Sequence, residues 1–181
     1  LNAHGMAAFV LKTRLPVLEH SNRYDVVLMD VQRAIRIVRA NAKAWNIRED
    51  SIGVMGFSAG GYQAALAATG YEIKVCEPLD AVDEISARPD FAVLCYPVIE
   101  KEARISRTDG TQNPIEEYEK IQLDTYKPYE LVNEMTPPLF IFETDEDQTT
   151  IAENSLFMYT AARANKVSAE LHIFSAGEHG F

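Results

Sequence analysis

The stretch Ile52-Gly53-Val54-Met55-Gly56-Phe57-Ser58-Ala59-Gly60-Gly61-Tyr62-Gln63 decides the fold. A short apolar run over Ser51 to Met55 reads as a buried strand. It leads into Gly56-Phe57-Ser58-Ala59-Gly60, which has the spacing G-x-S-x-G. The alanine-rich segment Tyr62 to Thr69 reads as a helix closed by Gly70. A serine on a sharp strand-to-helix turn lifts its hydroxyl above the strand end, and glycine on either side avoids a clash with neighbouring backbone. The same turn places the amide of Ala59 at a helix N-terminus, where it can bind an oxyanion. Gly61 lets the helix pack close to the strand layer. Ser58 is therefore the candidate nucleophile, with Gly56, Gly60 and Gly61 shaping its turn.

A serine hydroxyl needs a base. The chain has four histidines, His4, His20, His172 and His179. His4 falls in a helix cap that Gly5 closes, His20 in an early loop with Pro16, and His172 within a strand. His179 lies in Ala176-Gly177-Glu178-His179-Gly180, a glycine-flanked loop after the last strand, from which an imidazole can reach over the sheet edge. Triads on strand–elbow–helix folds run serine, acid, histidine along the chain, and His179 comes last. The acid is expected after a strand between the two. Leu139 to Glu143 is that strand, and Thr144-Asp145-Glu146-Asp147 is the turn that follows it. Position alone does not choose among the three acids of that turn.

Working outward, Met6 to Leu11 reads as a further buried strand. From Asp25, an N-cap, the apolar positions Val27, Val31, Ala34, Ile35, Val38, Ala42 and Trp45 mark a helical stripe, with Arg33, Arg36 and Arg39 on the wetter side. Phe91 to Ile99 is a buried strand, Glu153 to Lys166 a helix, and Ala169 to Phe174 a strand. Strands alternating with amphipathic helices predict an α/β fold, a mostly parallel sheet with helices on both faces. The charged stretch from about 100 to 130 reads as a surface or cap-like excursion from one domain spanning 1–181. Its Tyr118, and Tyr126 and Tyr129, suit either stacking on a sugar ring or anchoring the excursion.

The chain has 181 residues, 47% of them hydrophobic, enough for one core. Its 17 basic and 27 acidic residues leave a net charge of −10, which argues against nucleic acid or an anionic membrane as partner. No apolar run has the length of a membrane span. Cys95 sits in an apolar run and reads as a buried thiol; a disulfide with Cys76 stays open, and so does the compartment.

These residues resemble the α/β-hydrolase superfamily, and within it the acetyl-xylan-esterase-like carbohydrate esterases that border the hormone-sensitive-lipase-like esterases. The resemblance runs through Asp30-Val31-Gln32-Arg33-Ala34-Ile35-Arg36, the elbow, Arg88-Pro89-Asp90-Phe91, Tyr96-Pro97-Val98, Thr136-Pro137-Pro138-Leu139, Ala152-Glu153-Asn154-Ser155, and Gly177-Glu178-His179-Gly180-Phe181. It implies that the acid is the second of two adjacent acids shortly before Glu153, which is Asp147, with Asp145 as runner-up. Where the family often has D-x-V-V-P, this chain has Asp147-Gln148-Thr149-Thr150-Ile151. The family's glycine-rich oxyanion loop would lie upstream of Leu1, and its closing helix after Phe181, so the domain is expected to be partial at both ends. Ala59 is then the one oxyanion amide in hand, and exposed apolar surface would favour a homo-oligomer.

The resemblance implies a serine esterase acting on short acyl groups, such as acetyl on xylan or another sugar, without metal or cofactor. A prolyl-oligopeptidase-like peptidase shares G-x-S-x-G-G and a terminal H-G-F. A non-catalytic hydrolase-fold protein is the remaining alternative.

Overall fold

The structure, a computed structural model, describes residues 1–14, 25–100 and 125–181. His20, Tyr118 and most of the excursion at about 100–130 lie outside the described residues. Four parallel strands, β1 (Gly53–Phe57), β2 (Phe91–Cys95), β3 (Leu139–Thr144) and β4 (Ala169–Phe174), lie side by side in chain order. Helix α1 (Val26–Ala40) precedes β1, α2 (Ala59–Thr69) joins β1 to β2, and α3 (Glu153–Ala164) joins β3 to β4.

Register shows which side of the sheet is covered. Val54, Ala92, Leu139 and Ala169 are aligned across the strands, as are Leu94 and Ile141. This row meets Ala64, Ala65 and Ala68 of α2 and Met158 and Ala162 of α3 in one buried core. Alanines on α2 allow its backbone to lie close to the strands. Helix α1 adds Val26, Val27, Val31 and Ile35 against Ile52 and Ala67. In the described residues this one face carries the helices. Met55, Phe57, Phe91, Phe140 and Phe174 stand exposed, most of them on the opposite face.

Several expectations change. Met6 to Leu11 is not a strand: Val10 is fully exposed, and no described strand pairs with the segment. An apolar run becomes a strand only when a ladder partner satisfies its backbone. Phe9 instead lies against Trp45, with ring centroids 5.3 Å apart. The stripe of α1 ends at Ala40, and Trp45 belongs to the exposed turn beyond it. Asp25 occupies the N-cap position but makes no capping bond; its carboxylate accepts the Tyr126 hydroxyl at 2.6 Å. Tyr129 likewise donates to Glu100, at 2.5 Å, so Tyr126 and Tyr129 are both tied into the protein. The run Phe91 to Ile99 is strand only to Cys95, and α3 stops two residues short of Lys166, which takes a positive φ of 59°.

The three arginines of α1 are not simply solvated. Arg33 pairs with Asp80 and Asp83, Arg36 donates to the Ile85 carbonyl, and Arg39 reaches the Ser86 carbonyl and Asp90. Asp90 also accepts the Ile52 amide, so this clamp ties the entries of β1 and β2 together. Both cysteines are free; burial pushes the Cys95 thiol up to about 12, which keeps it neutral. No described helix is long and apolar enough to cross a membrane.

Candidate active site

Ser58 stands between β1 and α2 with φ 54° and ψ −120°, a conformation that a residue with a Cβ occupies only under constraint. Three backbone bonds impose it. The Ser58 amide donates to the Cys95 carbonyl at 2.9 Å, and the Ser58 carbonyl accepts from Tyr62 and Val98, each at 3.2 Å. Ala59 is the first residue of α2, so its amide has no acceptor within the helix.

The glycines around the serine differ in what they do. A Cβ on Gly56 would stand 1.9 Å from the Gly60 carbonyl oxygen, and one on Gly61 would stand 2.7 Å from Cα of Pro97. Gly60 corrects the sequence reading: a Cβ there meets nothing within 4 Å among the described residues, and its φ is not positive. The crowding runs from Gly56 toward the backbone of Gly60, not the reverse. Gly56→Ala is accordingly expected to destabilise the fold by about 3 kcal/mol or more, because backbone must move. Gly60→Ala should stay within about 0.5 kcal/mol of the parent or gain slightly in helix propensity. Thermal midpoints of the two variants check this; equal losses would contradict it.

The end of β3 carries the acid turn. Of its three acids, Asp145 and Glu146 are exposed, while Asp147 is 1% exposed. Asp147 Oδ1 accepts the amides of Thr149 (2.7 Å) and Thr150 (2.9 Å). Its Oδ2 accepts the Thr150 hydroxyl at 3.0 Å and lies 2.6 Å from His179 Nδ1. Burial alone would raise this carboxyl. The bonds from His179 and from the two threonines outweigh it and hold Asp147 below the ordinary carboxylate value.

His179 arrives on the loop after β4. Gly177, at φ 134°, and Gly180, at φ 88°, give that loop its turns. Thr144 Oγ1 donates to the Gly177 carbonyl at 2.6 Å, and the Gly177 amide donates to Glu146 at 3.1 Å. The ring of Tyr96 meets the imidazole edge-on at 5.0 Å. Nε2 of His179 lies 2.9 Å from Ser58 Oγ. An ionised carboxylate only accepts, so Nδ1 carries the proton and Nε2 is left to accept from the serine. Asp147, His179 and Ser58 thus form one continuous hydrogen-bonded chain across three loops at the same end of the sheet. Such a chain can remove a proton from a hydroxyl and return it to a leaving group.

His4 and His172 stand apart from this chain; His172 is exposed and contacts Glu170. Sequence reasoning missed Thr150, Thr144 and Tyr96. Thr150 had a signal: it occupies the stretch after the acid where the resemblance expects valine and proline. Tyr96 had none, since its contact with His179 joins the end of β2 to a loop far along the chain. Among the described residues, no group of three or more His, Cys, Asp or Glu could hold a metal ion.

Residues 4–161 match the model of the BD-FAE family. The chain belongs to the BD-FAE family. This BD-FAE chain is 33% identical, over 186 residues, to an acetylxylan esterase of Xylanibacter ruminicola, in an alignment that covers 100% of this chain and 35% of that protein. It is 34% identical over 182 residues to endo-1,4-beta-xylanase B of Butyrivibrio fibrisolvens, covering 97% of this chain and 28% of that one. Among solved structures, the acetyl ester-xyloside bifunctional hydrolase from Caldicellulosiruptor lactoaceticus superposes with a TM-score of 0.79 at 37% identity, over 99% of this chain and 64% of that one. The BD-FAE chain has the α/β-hydrolase fold. It spans about a third of the length of the two sequence relatives.

Proposed function

We propose that this chain is the catalytic region of a serine esterase that removes short acyl groups, acetyl foremost, from a xylan-type carbohydrate. Ser58 Oγ attacks the ester carbonyl as His179 Nε2 takes its proton. Asp147 holds the imidazole in the tautomer that accepts this proton, and stabilises the imidazolium that forms. The Ala59 amide, at the N-terminus of α2, faces the charge that develops on the carbonyl oxygen; one such donor is worth about 10²–10³ in rate. His179 then returns the proton to the departing sugar alcohol, leaving an acyl group on Ser58. Water, deprotonated by the same imidazole, releases the acid and restores the hydroxyl.

The unbroken Asp147–His179–Ser58 chain, with contacts of 2.6 and 2.9 Å, carries this reading. The acetylxylan esterase and the acetyl ester-xyloside hydrolase among the relatives support the substrate class. A fluorophosphonate probe is expected to label Ser58 and no other serine. An acetylated xylo-oligosaccharide should be deacetylated, and a proline-directed amide left intact. Intact, folded protein that takes up no probe would remove the claim.

A further inference from the structure

A second carboxyl lies behind the first. Glu143, at the end of β3, is 0% exposed. Its Oε1 accepts the amide of Thr144 at 3.0 Å, while Oε2 has no hydrogen-bond partner. The hydroxyl of Ser155, on the first turn of α3 and also 0% exposed, is the other buried side-chain atom without a partner among the described residues. Asp147, by contrast, has each oxygen accepting twice. No described lysine or arginine forms an ion pair with either carboxyl, and the His179 Nδ1 proton goes to Asp147.

We propose that Glu143 is a positioning residue of the Ser58 site, held as a neutral carboxylic acid whose Oε2 proton faces Asp147 and Ser155, so that one buried negative charge and not two stands behind His179. This rests on the esterase reading for its purpose, though not for its chemistry. Two ionised carboxylates close together in a dry site with no second cation would repel each other, and the pair lowers its energy by keeping one proton. A neutral Glu143 leaves Asp147 as the sole anion facing the imidazole. It also supplies a donor at the position where the structure leaves two polar atoms unsatisfied.

The electrostatics agree with the geometry. Burial, joined by the charge of Asp147 and opposed by the Thr144 amide, raises the Glu143 carboxyl from 4.5 to about 8. The groups that face the pair are His179 from the final loop, Tyr96 just after β2, and uncharged Ser155 from α3 and Ile173 from β4. Asp145 and Glu146 of the same turn are exposed. Burial raises both the Cys95 thiol and the Tyr96 phenol, so neither ionises in the window where Glu143 does.

The sign of the stability effect follows. The folded state holds the Glu143 proton more tightly than the unfolded chain, so its contribution is complete below 4.5 and is lost as pH rises toward 8. Glu143→Gln keeps the shape and removes the titration. Its thermal midpoint should therefore gain on the parent's steadily between those limits.

The deciding measurement is NMR of the substrate-free protein. Side-chain ¹³C resonances, assigned through Glu143→Gln, should show Glu143 titrating near 8. The downfield His179 Nδ1 proton should shift over the same range in the parent and stay still in Glu143→Gln. In that variant the alkaline limb of the pH–rate profile should be altered. A Glu143 carboxyl that titrates near its ordinary value would overturn the proposal, and so would an identical His179 shift in the variant. The parent titration decides the first point even if the variant does not fold. A protein that hydrolyses no ester yet gives both NMR results would sink the esterase reading alone.

Discussion

Ser58→Ala is expected to lower kcat/KM toward an acetyl ester by about 10⁶-fold, and Ser58→Gly to be equally inactive. The two should part on stability. Serine holds φ 54° and ψ −120° here, where its Cβ is strained, and alanine keeps that Cβ. Glycine removes it, so Ser58→Gly should unfold at a higher temperature than Ser58→Ala, by about 1 kcal/mol in stability. The expectation depends on the constraint being imposed from outside the serine, by the Cys95 carbonyl and the Tyr62 and Val98 amides, which all three side chains leave untouched. A glycine variant no more stable than the alanine one would mean that the turn is not strained. Esterase activity retained in Ser58→Ala would end the nucleophile assignment. The comparison separates two things that coincide at this position, the chemistry of the hydroxyl and the backbone geometry that presents it.

Asp147→Asn is expected to cost about 10⁴ in kcat/KM, whereas Asp145→Asn should change it only a few-fold. An asparagine amide can donate to Nδ1, which would move the ring proton to Nε2 and deprive Ser58 of its acceptor. The Thr149 and Thr150 amides would still find an acceptor on the asparagine side chain, so the loop itself should hold its shape. Asp145 is exposed, and its backbone amide, not its carboxylate, makes its bond to the sheet, to the Phe174 carbonyl at 2.8 Å. Parallel kinetics of the two variants check the assignment. Comparable losses in both would show that the acid turn acts through its overall charge rather than through one carboxylate.

Much of the architecture was legible because its causes are local. The run before Gly56 had to end in a turn, and the alanines after it had to form a helix that packs closely. Strand β4 was read with its true bounds, Ala169 to Phe174, since Leu171 and Ile173 alternate with polar residues and Ser168 and Ser175 flank the run. Misreadings arose where a distant partner decides the outcome. Met6 to Leu11 has the composition of a strand but no ladder neighbour among the described residues. The stripe toward Trp45 kept its period beyond Ala40, yet Asn46 takes a positive φ of 55° and closes the turn that follows the helix. Arg33, Arg36 and Arg39 looked like a solvated face because their partners, Asp80 to Asp90, lie more than forty residues away in the chain.

The candidate site divides the same way. The sequence by itself determined that Ser58 sits on an elbow and that His179 follows the last strand, because glycine spacing and chain order act over a few residues. It also confined the acid to the turn after β3. Among Asp145, Glu146 and Asp147 position alone did not choose, and the resemblance pointed to Asp147; only the tertiary structure buries that carboxylate under Thr149, Thr150 and His179, which needs a loop thirty residues downstream. It alone showed that Gly60 is unobstructed while Gly56 is crowded. It alone buried Glu143 beside Asp147, because the surroundings that desolvate a carboxyl come from elements that meet only when the sheet has formed.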